Sequence, residues 1–85
     1  MPTYYTYILR SEKTGRLYIG QTNNLEDRLH RHNSGQSKST KAGIPYDLLH
    51  CKEFKSRTEA VLLERKLKSW KSPSKVLEWI VRQSG

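Results

Sequence analysis

The stretch YYTYILRSEKTGRLYIG, residues Tyr4–Gly20, decides how the fold begins. Its first six residues, YYTYIL, are rich in aromatic and β-branched side chains, and residues 17–20, LYIG, form a second short apolar run. The connection between the two runs contains Thr14 and Gly15. Two runs of this composition, joined by a connection that contains glycine, predict a β-hairpin.

The residues after the hairpin predict a first helix. Asn23 is followed by Glu26 at the spacing of a capping box, and the helix that this predicts is about ten residues long, ending near residues 33–35. Leu25 and Leu29 lie four residues apart and form its inward pair. We therefore expect one face of this helix to pack against the hairpin.

The second half of the chain predicts a third strand and two more helices. Residues 47–54, DLLHCKEF, have the composition of a strand. A second capping box, SRTE at residues 56–59, opens a helix that runs to about residue 71, and Ser72-Pro73 provides an N-cap and a first-turn proline for the last helix. The order β-β-α-β-α-α predicts an α+β fold, a three-stranded antiparallel sheet flanked by three helices. The predicted inner faces comprise Ala60, Leu63, Leu67 and Trp70 in one helix and Val76, Leu77, Ile80 and Val81 in the next.

Residues 34–45, SGQSKSTKAGIP, predict a loop because they are polar and rich in Gly, Ser and Lys. A loop of about twelve residues is long enough to suggest a functional role. We therefore expect it to contribute to substrate recognition, rather than to link two domains.

Size and composition exclude several classes of protein. The 85 residues (10.0 kDa) predict a single domain, residues 1–85. No apolar run approaches the roughly 20 residues of a membrane span, and the N-terminus lacks a signal-peptide pattern, so we expect a cytoplasmic protein with no membrane association. The one cysteine, Cys51, cannot form an intramolecular disulfide, and no Cys/His cluster has the spacing of a zinc site.

The charge points to a class of partner. Sixteen Lys and Arg residues against eight Asp and Glu residues give a net charge of +8. A field of this sign attracts polyanions and favours nucleic acid. Charge alone leaves open a merely soluble basic protein or a small RNA- or ribosome-associated protein, although it favours a nucleic-acid partner.

Three polar residues lie beside the apolar stripes of the predicted helices. Arg28 and His32 follow Leu25 at i+3 and i+7, on the side of the inward leucines. Glu64 flanks the stripe of the second helix. Each has an ordinary structural explanation, because an arginine can extend over the edge of a core and a histidine can lie on the surface. Glu64 can likewise pair with Lys68 at i+4, so spacing leaves structural and functional roles open.

Together, these positions resemble the small stand-alone members of the GIY-YIG endonuclease family. The resemblance rests on YTYIL (residues 5–9), YIGQTNNLEDRLHRH (residues 18–32) and EAVLLERKLK (residues 59–68). It covers nearly the whole chain and keeps the order of the elements. The first motif reads YTY, without the glycine and isoleucine of the family, and Gln21 stands where some members have a lysine.

The resemblance implies a metal-dependent endonuclease that hydrolyses phosphodiester bonds in DNA, such as structured or damaged DNA in repair or recombination. It implies one divalent cation, Mg²⁺ or Mn²⁺, with Glu64 as the metal ligand. The catalytic positions that it implies are Tyr7, Tyr18, Arg28, His32 and Glu64. A guanidinium can clamp phosphate oxygens, whereas a phenol with a pKa near ~10 is a poor base unless nearby positive charge lowers that pKa. The sequence does not decide which tyrosine would be the base.

The remaining basic residues are predicted to bind nucleic acid and to make that binding strongly salt-dependent. The predicted contacts are Lys38, Lys41, Arg65, Lys68 and Lys71. DNA is the expected partner, RNA is left open, and the sequence does not decide whether a targeting protein is needed for activity. The alternative from a different class is a non-catalytic nucleic-acid-binding module with the GIY-YIG fold.

Overall fold

The computed structural model describes residues 2–84 and has three strands and three α-helices in the predicted order. The elements are β1 (Tyr4–Ser11), β2 (Leu17–Thr22), α1 (Leu25–Asn33), a 3-10 turn at Lys41–Gly43, β3 (Tyr46–Phe54), α2 (Arg57–Ser69) and α3 (Pro73–Ser84). The strands form one antiparallel sheet in the order β2-β1-β3. The predicted α+β class is therefore confirmed. Within residues 2–84, no helix combines the length and the apolar character that crossing a bilayer requires.

Strand β1 lies at the centre of the sheet because it pairs with its hairpin partner on one edge and with β3 on the other. Tyr7 is opposite Gly20 of β2 and opposite Cys51 of β3. The hairpin turns where the sequence predicts, and Gly15 has a φ of +77°, a conformation that glycine adopts at little cost. Ser11 Oγ accepts a hydrogen bond of 2.9 Å from the backbone N–H of Thr14 within this turn.

Alternate residues of β1 enter two different cores, because successive side chains of a strand point to opposite faces. The α1-side core consists of Tyr7, Leu9 and Tyr46, with Leu25 and Leu29 packed against it. The α2/α3-side core consists of Ile8, Leu67 and Val76, with Leu63, Trp70, Trp79 and Ile80 packed against it. Burying an apolar side chain of this size contributes about 1.5–3 kcal/mol, so a β1 that is buried on both faces holds the two layers together.

The helix starts agree with the sequence at α2 and differ by one residue at α1. Ser56 caps α2 and its hydroxyl accepts a hydrogen bond from the backbone N–H of Glu59, as predicted. At α1 the N-cap is Asn24, and the prediction of Asn23 was wrong: Asn24 Oδ1 accepts from the backbone N–H of Asp27 at 3.1 Å. The preceding Thr22 Oγ1 accepts from the N–H of Asn24, which holds that residue in the extended conformation of a cap.

Helix α3 contacts the α2/α3-side core through a narrower stripe than the sequence predicts. Val76 is buried and Ile80 packs against the same core, one turn later on the same row. Val81 is 69% exposed, so its assignment to the inner face was wrong. Residue 81 lies 100° around the helix from residue 80, which carries it past the edge of the contact.

Hydrogen bonds anchor the predicted loop, residues 34–45, to the rest of the protein near both of its ends. Asn33 acts like a paired strand residue: its Nδ2 donates to the carbonyl of Tyr46 at 3.1 Å, and its Oδ1 accepts from the N–H of Tyr46 at 2.6 Å. Ser11 Oγ donates to the carbonyl of Gly43 at 2.6 Å. Thr40, in the middle of the loop, is 1% exposed. The segment therefore packs onto the α1 side of the sheet instead of extending into solvent.

Candidate active site

The Tyr7 hydroxyl lies at the centre of the candidate site. Tyr7 is 1% exposed, and its ring crosses directly over Gly20 on the neighbouring strand. A Cβ atom placed on Gly20 would lie 2.5 Å from Tyr7 Oη, closer than atoms approach. In the structure this glycine leaves room for the Tyr7 ring.

His32 contacts this hydroxyl from the last turn of α1. Its Nε2 is 3.1 Å from Tyr7 Oη, and its Nδ1 is 2.8 Å from Thr40 Oγ1. The imidazole is 1% exposed, so the interpretation as a surface histidine is wrong. Both ring nitrogens have partners, as a buried polar group requires.

Tyr18 covers the outer side of the pair. Its ring centroid lies 4.7 Å from that of His32 and 6.3 Å from that of Tyr7. Tyr18 is half-buried and, together with Arg28, Arg31 and His32, lines an open groove of about 280 Å³. A ligand in this groove would meet two arginines and the aromatic edge of the site.

Arg28 and Glu64 act on the Tyr7 hydroxyl from two different helices. Arg28, one turn before His32 on α1, lowers the pKa of Tyr7, whereas the Glu64 carboxylate of α2 raises it. Glu64 Oε2 also pairs with Lys68 Nζ at 2.6 Å, which confirms the i+4 pair that the sequence allows. The Glu64 side chain is 19% exposed, so the carboxylate is mostly buried and still reaches solvent.

Protonation in the site is controlled mainly by burial. Burial raises the pKa of Tyr7 well above 10.0, Tyr18 and Glu64 add to the effect, and Arg28 only partly opposes it. Arg28 therefore lowers the pKa of Tyr7, but by less than burial raises it. Burial also lowers the pKa of His32, and the neighbouring Arg28 lowers it further. At neutral pH the site holds a protonated phenol next to a neutral imidazole that can accept a proton.

Among the five motif residues, Glu64 carries the carboxylate that could bind a divalent cation. Within residues 2–84, no group of three or more His, Cys, Asp or Glu side chains comes together to form a complete metal site. Glu64 would therefore supply one carboxylate, and water and substrate oxygens would supply the other ligands. Mg²⁺ is commonly bound in this way, through one or two carboxylates and phosphate oxygens.

The five residues predicted to bind nucleic acid do not form one patch. Lys68 and Lys71 line a groove of about 360 Å³ beside β2, together with Arg16 of the hairpin. Lys38 and Lys41 lie exposed in the loop, and Arg65 is exposed on α2. Sequence reasoning missed Arg16, because only the packing of the hairpin against the end of α2 brings it to this groove.

Comparisons with known proteins agree with this geometry. The profile of the GIY-YIG catalytic domain matches residues 3–76. UPF0213 proteins are similar to this chain: that of Oceanobacillus iheyensis is 41% identical over 66 residues, 76% of each chain, and that of Bacillus pumilus is 39% identical over 75 residues, 87% of this chain and 76% of the relative.

A solved structure supports the same relationship. The solution NMR structure of the UPF0213 protein BH0048 from Bacillus halodurans superposes with a TM-score of 0.63 at 30% identity, covering 98% of this chain and 87% of the other. The resemblance seen in the sequence is thus confirmed over most of the chain. With the domain profile matched from residue 3 to residue 76 and the fold shared with a solved relative, the chain belongs to the GIY-YIG family, whose fold is that of a nuclease.

Proposed function

We propose that this protein is a metal-dependent endonuclease that hydrolyses phosphodiester bonds in DNA. The observation that carries the proposal is the convergence of Tyr18, Arg28, His32 and Glu64 on the Tyr7 hydroxyl from β2, α1 and α2. A cation-binding carboxylate, a phosphate-binding guanidinium and a proton-accepting pair are the groups that hydrolysis of an anionic ester needs.

The open groove that Tyr18, Arg28, Arg31 and His32 line (the α1-side groove) would receive the scissile phosphate. Arg28 lines this groove, and its planar fork of donors suits two phosphate oxygens at once. When a divalent cation is held by Glu64, it stabilises the additional negative charge of the transition state. The phosphate would thus be placed between the guanidinium and the carboxylate side of the site.

Tyr7 and His32 form a path for the proton of the attacking water. The water gives a proton to Tyr7 Oη while Tyr7 passes its own proton to His32 Nε2, 3.1 Å away. The hydroxide attacks phosphorus, the P–O bond to the leaving nucleotide breaks, and the leaving oxygen takes a proton from solvent. Because the pKa of Tyr7 is raised, its phenol is not ionised at neutral pH. A concerted relay, in which Tyr7 gives its proton to His32 while it takes one from water, is therefore favoured over a preformed phenolate. We assign the base role to Tyr7 on this ground, with Tyr18 at the mouth of the groove.

The DNA backbone would continue into the groove beside β2. Arg16, Lys68 and Lys71 line this second groove, and Lys68 also forms an ion pair with Glu64, the proposed metal ligand. Lys38, Lys41 and Arg65 would add exposed contacts to more distant phosphates. We propose structured or damaged DNA, as in repair or recombination, as the substrate, with the loop at residues 34–45 or a targeting partner providing selectivity.

A non-catalytic module that binds nucleic acid is the second candidate. One observation favours it: the Lys68 ammonium lies 2.6 Å from Glu64 and compensates the charge that a metal site would use. In such a module this ion pair would hold the Glu64 carboxylate in place without a metal ion. The two functions differ in whether the bound DNA is cut.

The test is cleavage of labelled linear duplex, flap and four-way-junction DNA in Mg²⁺ or Mn²⁺, with a matched structured RNA. Glu64→Gln should abolish cutting and leave DNA binding intact, because it removes the cation-binding charge but keeps the shape. Glu78→Gln, the same change at an exposed position on α3, should cut like the wild type. Equal DNA binding by all three proteins without cutting of any substrate would favour the binding module. Preference for RNA at matched salt would contradict DNA as the substrate.

A further inference from the structure

Thr40 contacts the candidate site although it lies outside every sequence motif. It is 1% exposed, whereas its neighbours Ser39 and Lys41 are exposed, so this one side chain of the loop turns inward. Thr40 Oγ1 lies 2.8 Å from His32 Nδ1, the ring nitrogen that faces away from Tyr7. Thr40, His32 and Tyr7 therefore form a continuous hydrogen-bonded chain from the loop to the centre of the sheet.

We propose that Thr40 is a positioning residue that holds His32 in the tautomer with hydrogen on Nδ1. In this arrangement Nδ1–H donates to Thr40 Oγ1, and Nε2, which then has no hydrogen, accepts from the Tyr7 hydroxyl. The Thr40 hydroxyl hydrogen points to the carbonyl of Ser37, 3.5 Å away. This inference rests on the proposed nuclease function for its catalytic meaning, and on the geometry alone for the tautomer.

Charge and burial around the ring support this assignment. Burial disfavours an imidazolium and lowers the pKa of His32, and the positive charge of the neighbouring Arg28 lowers it further. A neutral imidazole has only one N–H, so its partners decide which nitrogen carries the hydrogen. Tyr7 keeps its own proton because burial, Tyr18 and Glu64 raise its pKa, and a phenol is a better donor than acceptor. Tyr7 thus donates to Nε2, and a hydroxyl at Nδ1 must accept.

The consequence concerns the direction of proton transfer. With hydrogen on Nδ1, His32 Nε2 can take the Tyr7 proton when Tyr7 takes one from water. The opposite tautomer would point an N–H at Tyr7 Oη and block that path. The loop residue would therefore act through the histidine, as the outer partner of a catalytic histidine does in other enzymes.

The first experiment is a long-range ¹H–¹⁵N correlation spectrum of the histidine side chains in the free protein. We expect a protonated-type ¹⁵N shift at Nδ1 of His32 and a pyridine-type shift at Nε2 in the wild type. Hydrogen on Nε2 in the wild type would overturn the proposal without any variant. This measurement needs no DNA or cation, so it succeeds or fails separately from the nuclease assignment.

Two variants separate the hydroxyl from the shape of the side chain. Thr40→Val keeps the branched shape and removes the hydroxyl, so the His32 shifts should move toward hydrogen on Nε2 and kcat should fall about 10–100-fold with KM unchanged. Thr40→Ser keeps the hydroxyl and should retain the wild-type shifts and most of the activity. Backbone amide spectra of each variant report whether it is folded. Wild-type shifts in Thr40→Val, or equal losses in both folded variants, would show a packing role only and overturn the proposal.

Discussion

On the α1 side of the sheet, the buried Tyr7, His32 and Thr40 are joined by hydrogen bonds, whereas on the other side the equally buried Ile8 and Leu67 belong to an apolar cluster. Tyr7 and Ile8 are consecutive residues of β1. A step of one residue along the strand therefore separates a site with titratable groups from a core that is held by packing. The difference shows that one central strand supports both the proposed chemistry and the stability of the fold.

Burial has opposite energetic meanings on the two faces. An apolar side chain gains free energy on leaving water, whereas a buried polar group that loses its partner costs about 1–3 kcal/mol. Within the described part of the chain, every buried side-chain N or O atom that belongs to a non-exposed residue has a partner. The α1-side network is thus complete, and its hydrogen bonds define the orientation of each group. We expect substitutions there to change activity and substitutions on the opposite face to change stability.

The largest effect expected is on catalysis, from Tyr7→Phe. This change removes the hydroxyl that we propose accepts the water proton but keeps the ring over Gly20, so kcat should fall by about 10²–10⁴-fold. Cleavage kinetics measure it, with Tyr5→Phe on the same strand as the matched control. Full activity in Tyr7→Phe would contradict the assignment of Tyr7 as the base and move that role to Tyr18.

The next effect is on stability, from Leu67→Ala in the α2/α3-side core. Loss of this buried side chain should lower the free energy of unfolding by about 2–5 kcal/mol, through lost burial and the cavity that remains. Activity per folded molecule should stay close to the wild type. Urea unfolding measures the change, and Leu62→Ala, 59% exposed on the same helix, should have little effect. A large activity loss in folded Leu67→Ala would show that the two faces are coupled.

A smaller effect on stability is expected from Gly20→Ala, which also tests how tightly the site is built. The new methyl group would overlap Tyr7 Oη and Cζ, so the ring must shift, at a cost of about 1–3 kcal/mol in unfolding free energy. Because the ring carries the hydroxyl that we propose as the base, cleavage should weaken as well. The cost should shrink in a Tyr7→Leu background, where the ring is absent. An equal cost in both backgrounds would locate the strain elsewhere.

The smallest expected effect is the pH dependence of the free energy of unfolding. It involves one histidine on each face of the sheet, His32 and His50. Burial lowers the pKa of His32 on the α1 side and of His50, which packs against Trp79 on the other side, below 6.5. The unfolded chain therefore binds protons first, so the free energy of unfolding should fall as the pH decreases from 7.5 through 6.5.

Urea unfolding between pH 7.5 and 5 measures this dependence. His50→Gln should remove one part of the slope and leave the part that belongs to His32. Side-chain NMR titration should give both histidines pKa values below 6.5. Stability that rises as the pH decreases through this range would contradict the burial argument at both sites.

Local patterns in the sequence predicted the strands, the helices and the Ser56 cap because they report short-range preferences. Hydrophobic alternation, capping boxes and turn residues act over a few positions. The structure differs from these patterns in the N-cap of α1, which is Asn24 instead of Asn23, and at the edge of α3, where Val81 is exposed. The five motif residues were found through their family resemblance. Their spacing alone left several roles open, among them a surface position for His32, whereas its ring is buried.

The sequence by itself determined the order of the elements, the basic charge and the types of group available for chemistry, because each depends on composition or on neighbours along the chain. Only the tertiary structure decided that Gly20 makes room for Tyr7, that Arg16 joins Lys68 and Lys71, and that Thr40 reaches His32. These contacts connect residues that are distant in the sequence or carried by an irregular loop. Packing of the sheet against its helices, and not any local preference, brings them within a few ångströms of each other.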